Sequence, residues 1–65
     1  MKATDKQIKY ILYLADRKGL STTWMNAGWK KVGVPLSARN GRVVDFLANL
    51  NVSEASNLID RLQAL

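Results

Sequence analysis

The chain contains neither cysteine nor histidine. The first absence excludes disulfides, and the two together exclude an ordinary zinc site, which takes its ligands from those residue types. No apolar run approaches the roughly 20 residues that a membrane-spanning helix needs. The opening residues, Met1-Lys2-Ala3-Thr4-Asp5-Lys6-Gln7, are polar and lack the apolar stretch of a signal peptide. These absences predict a cytoplasmic protein, within the bacterial host cell if the chain is phage-encoded, with no membrane partner and no cofactor. Acidic residues are also scarce, five against ten lysines and arginines, giving a net charge of +5.

That excess is not spread evenly. Residues 17–44 carry Arg17, Lys18, Lys30, Lys31, Arg39 and Arg42 and not one carboxylate. The remainder sets Lys2, Lys6, Lys9 and Arg61 against Asp5, Asp16, Asp45, Glu54 and Asp60, and is close to neutral. Segregated charge gives a small protein a directional field that draws phosphate, acidic protein surfaces or anionic lipid.

With 65 residues, 48% of them apolar, the chain makes one domain, residues 1–65, near the lower size limit for folding without staples. Helical spacing and caps predict an all-α bundle of about four short helices. Thr4-Asp5-Lys6-Gln7 reads as a capping box, and Ile8, Ile11, Leu12, Leu14 and Ala15 form one apolar stripe. Lys18 and Gly19 then supply a stop, so the first helix is expected over 5–18. Ser21, Thr22 and Thr23 offer caps for a second helix over 23–32, built on Trp24, Met25, Ala27 and Trp29 and ended by Gly33-Val34-Pro35. A third, over 41–49, would be capped by Asn40, or by Ser37 if it starts earlier, and would bury Val43, Val44, Phe46, Leu47 and Leu50. A hairpin pairing residues 32–34 with 42–44 is the competing arrangement, opposed by Pro35. Asn51-Val52-Ser53-Glu54 is a second capping box, opening a helix over 52–63 that carries Ala55, Leu58, Ile59 and Leu62.

The two outer helices also carry a family likeness. Thr4-x-Lys6-Gln7-x-x-Tyr10-Ile11 and Glu54-Ala55-Ser56-x-Leu58-Ile59-Asp60-x-Leu62 resemble a small helical module of phages and actinobacteria. That module is free-standing in phages or appended to recombination, single-strand-annealing and other nucleic-acid-handling proteins. The middle, from Trp24-Met25-Asn26-Ala27 to Asp45-Phe46-Leu47-Ala48, is similar to its longer actinobacterial variant. The resemblance implies a helical fold and a setting in phage DNA metabolism. Its matching residues are caps and core positions, so it implies no site.

Three groups of residues are candidates for binding. Lys6, Tyr10, Tyr13 and Arg17 fall on one line of the first helix, alternating cations with rings as single-strand binding surfaces do. The structural alternative packs at least one tyrosine under the 20–45 segment, and buried rings are the commoner arrangement. Lys30 and Lys31, with Arg39 and Arg42 flanking Asn40-Gly41, form a basic cluster in which the two arginines would clamp an anion at the third helix's N-terminus. Arg17 and Lys18 would assist. Trp24 and Trp29, five residues apart on a helix, point in different directions, which allows one in the core and one at the surface. An exposed Trp29 beside Lys30-Lys31 would add a stacking ring, unless both tryptophans anchor the core, which is the more frequent outcome. A helix-turn-helix outline, with Arg39, Asn40 and Arg42 on a recognition helix from Ser37, is opposed by Gly41 and by the lack of an apolar locking residue.

No catalytic constellation is present: the carboxylates are scattered, no histidine can serve as a base, and no glycine-rich phosphate loop appears. The sequence predicts a non-enzymatic accessory protein that binds nucleic acid of unspecified type. The competing expectation is an interaction module that docks on an acidic host-protein surface, and self-association as a homodimer is a third role open to so small a domain.

Overall fold

The computed structural model describes residues 1–34 and 41–65. They form four helices in an all-α arrangement: α1 (Asp5–Arg17), a six-residue 3₁₀ helix (Ala27–Val32), α2 (Val43–Ala48) and α3 (Val52–Gln63).

Local chemistry sets α1 and α3. At the start of α1 the Thr4 hydroxyl accepts from the Gln7 amide at 3.1 Å, and Gln7 Oε1 accepts from the Thr4 amide at 3.1 Å. Asn51 and Glu54 make the same reciprocal pair at the start of α3, at 2.8 and 3.0 Å. Each box satisfies two of the amides that a helix N-terminus leaves without partners. At its other end α1 closes in a Schellman motif. The Leu20 amide donates to the Ala15 carbonyl and the Gly19 amide to that of Asp16, with Gly19 at φ +78°.

The two helices run in the same direction. Their starts are clipped where Lys2 and Asn51 face each other in an isolated antiparallel bridge, with Ala3 donating to Leu50 and Val52 to Met1. Gln7 Nε2 also donates to the Val52 carbonyl at 3.2 Å. Their ends meet where Lys18 Nζ donates to a main-chain oxygen of Leu65 at 2.9 Å. Between them, Ile11, Leu14 and Ala15 of α1 face the core with Ala55, Leu58 and Leu62 of α3.

The middle departs from its sequence expectation. No α-helix spans 23–32; the helix begins at Ala27, is 3₁₀, and is capped by Asn26 in place of Ser21, Thr22 or Thr23. Ser21 instead accepts from the Trp24 amide at 3.2 Å, so the chain bends at residues 22–23 and Trp24 is set for pairing. Thr23 accepts from the Val43 amide and Met25 donates to Gly41, so Trp24 and Arg42 stand opposite one another in a second isolated bridge. The competing hairpin of 32–34 with 42–44 does not form: residue 32 ends the 3₁₀ helix and residues 43–44 open α2.

The third helix is also shorter than 41–49. Gly41 has φ +97° and Arg42 is extended at φ −85°, ψ 143°, so helix starts only at Val43. The same backbone excludes a recognition helix running through Arg42. The proposed caps Ser37 and Asn40, like the rest of that recognition helix, lie outside the described residues. Val43 and Leu47 are buried as expected, whereas Phe46 and Leu50 are only half-buried and Val44 is exposed.

Candidate nucleic-acid interface

Trp24 and Arg42 form one exposed group, and the bridge register explains why. With amides donating from residue 25 to 41 and from 43 to 23, positions 24 and 42 are a non-hydrogen-bonded pair, the closer of the two antiparallel spacings. Side chains alternate along extended backbone. Met25 and Val43 therefore enter the core, at 7% and 0% exposure, while Trp24, 56% exposed, projects outward beside Arg42. The Arg42 guanidinium carbon lies 5.5 Å from the Trp24 ring centroid. Arg42 is the N-cap residue of α2, and its side chain lies against the indole without capping the helix. Arg39, its supposed partner in the anion clamp, lies outside the described residues.

Helix α1 carries the second group. Tyr10 and Tyr13 are both exposed, at 40% and 53%, so the expectation that at least one packs beneath the 20–45 segment is overturned. Helix α3 covers the opposite, apolar side of α1, leaving the tyrosine line to solvent. The two rings stand 6.3 Å apart between centroids and 17° from parallel. Their hydroxyls are held: Gln63 Nε2 donates to Tyr10 Oη and Arg17 Nη1 to Tyr13 Oη, each at 2.9 Å. Arg17 sits 5.7 Å from the Tyr13 centroid, at the hydroxyl end of the ring, so the hydrogen bond dominates this contact. That bond, with the favourable field of the phenol oxygen, holds the guanidinium above its ordinary pKa and permanently charged.

Trp29 belongs to neither group. It is fully buried, and its indole Nε1 donates to the Ser21 carbonyl at 3.0 Å. The reading of Trp29 as a stacking ring is corrected, because a ring with no accessible face cannot receive a base. Lys30 and Lys31, which follow it, are exposed. Lys18 is half-buried and turned to Leu65, which ties the ends of α1 and α3.

Sequence reasoning passed over Arg61. Its Nη1 donates to the Val32 carbonyl at 3.1 Å, closing the end of the 3₁₀ helix from α3. A lone arginine in a last helical turn reads as a dipole partner, and only the tertiary contact distinguishes it. Arg61 also lines an open hollow with Val32, Val34, Phe46, Leu58 and Glu54.

Among the described residues, Arg17, Lys30, Lys31 and Arg42 form no ion pair with a carboxylate. No group of three or more acidic side chains converges on a point where a metal ion would sit, and no helix is long and apolar enough to cross a membrane, again among the described residues.

No family model, curated protein or solved structure matches this chain. The case for function therefore rests on the chain's own residues.

Proposed function

We propose that this chain is a small non-enzymatic accessory protein that binds nucleic acid through the cations of its middle segment. One observation carries the reading: Arg17, Lys30, Lys31 and Arg42 come from a window without a carboxylate, and none is neutralised by an ion pair among the described residues. Unpaired cations on a small surface keep their field, and phosphate is the ligand that draws most from it. Exposed aromatic rings beside two of these cations favour nucleic acid over an acidic protein, since rings stack on bases.

The test is a titration with single- and double-stranded oligonucleotides at two salt concentrations. Binding that weakens steeply with salt is expected, because each neutralised phosphate releases counterions. Absence of binding to either form at low salt would overturn the proposal and leave an acidic host protein as the partner. Arg39→Ala, outside the described residues, tests by itself whether the sixth cation of the window contributes.

A further inference from the structure

We propose that the ligand is single-stranded, and that Trp24 with Arg42 is the position where an unpaired base stacks. This rests on the nucleic-acid reading above and specifies its substrate class. Of the five aromatic residues, Trp29 is buried and Phe46 half-buried, whereas Tyr10, Tyr13 and Trp24 stand in solvent. A 65-residue domain short of core has a use for an indole inside, yet it leaves its second one 56% exposed. Nor is the exposure a loose side chain. The bridge fixes the Trp24 backbone through two hydrogen bonds, 2.8 and 3.0 Å, made by the residues on either side of it, and Arg42 lies against its ring.

Arg42 is fixed on the paired position with its guanidinium 5.5 Å from the indole centroid. The two side chains supply a ring for a base and a cation for its phosphate, held together before any ligand arrives. Duplex ends few bases to an indole, because its bases are paired and stacked on one another; a single strand offers them all. The charge complementarity that draws the backbone is therefore shared by both forms, and the ring discriminates between them.

The molecule provides its own probe, since Trp24 is the exposed tryptophan and Trp29 the buried one. An oligothymidylate of about twelve nucleotides, within the usual range of single-strand site sizes, is titrated beside an abasic strand of the same length, with affinities read from the anisotropy of the labelled strand and tryptophan emission followed in the parent chain. The thymidine strand is expected to quench the Trp24 emission and to bind about five-fold to a hundred-fold more tightly than the abasic strand. Trp24→Ala removes that preference and keeps the abasic affinity, and Trp24→Phe retains part of the preference. Circular dichroism confirms that both variants are folded. Equal binding of the two strands, or an equal loss of both in Trp24→Ala, overturns the stacking site while leaving electrostatic nucleic-acid binding standing. If neither strand binds at low salt, the functional reading fails and this inference fails with it.

Discussion

The outer helices and the stretch between them are built by different means. Helices α1 and α3 have 13 and 12 residues, and each opens with a reciprocal capping box. The helices between them have six residues each, well under the roughly 12–15 at which an isolated helix becomes even marginal in water. Tertiary clamps hold that stretch: the bridge at Trp24 and Arg42, the Trp29 indole on the Ser21 carbonyl, and Arg61 on the Val32 carbonyl. Regular, locally determined structure forms the frame. The irregular part is pinned to it and carries Lys30, Lys31, Arg42 and the exposed indole.

The two tryptophans give this contrast its largest test. Trp29→Ala should cost about 3–5 kcal/mol from lost burial and the resulting cavity. A domain of this size holds only about 3–10 kcal/mol in all, so urea denaturation should show a largely unfolded chain. Trp24→Ala removes an exposed ring and a cation–π contact, and should cost about 0.5–1 kcal/mol. Comparable losses at both positions would erase the distinction between frame and surface.

Next is Gly33, which ends the 3₁₀ helix at φ +81°, where an added Cβ would lie 2.6 Å from Arg61 Nη1. Gly33→Ala should lose about 1–2 kcal/mol from left-handed backbone strain alone, and also displace the Arg61 clamp. In the frame, Asn51→Ala should cost about 1 kcal/mol through its cap, with oligonucleotide affinity unchanged. A fall in affinity at constant fold would instead place the α3 start within the interface.

How much of this could be read beforehand follows the same division. Both capping boxes, the Gly19 stop and the apolar stripes of α1 and α3 are local signals, and the structure has them where the spacing put them. The 3₁₀ helix was missed because Ser21 caps a turn as readily as a helix, and residues 23–25 take up pairing with a segment distant in sequence. Trp29 reads as a candidate stacking ring because neighbouring lysines suggest a surface, with burial as the commoner alternative; what packs over the ring decides for burial. Trp24 and Arg42 could not be joined from sequence, since only the bridge register sets one opposite the other.

The smallest expected effect concerns pH. The chain has no histidine, and Tyr13 holds Arg17 above its ordinary pKa, so its charge persists through neutrality. Oligonucleotide affinity should therefore vary by less than about two-fold between pH 5.5 and 7, as checked by anisotropy at fixed ionic strength.

The most direct test of the division between frame and binding surface is the salt dependence of single-strand affinity in the parent chain and in Lys30→Ala/Lys31→Ala/Arg42→Ala. Removing three phosphate contacts should flatten the slope of log affinity against log salt by about 2, with the urea midpoint nearly unmoved. An unchanged slope in a folded triple variant would contradict the account.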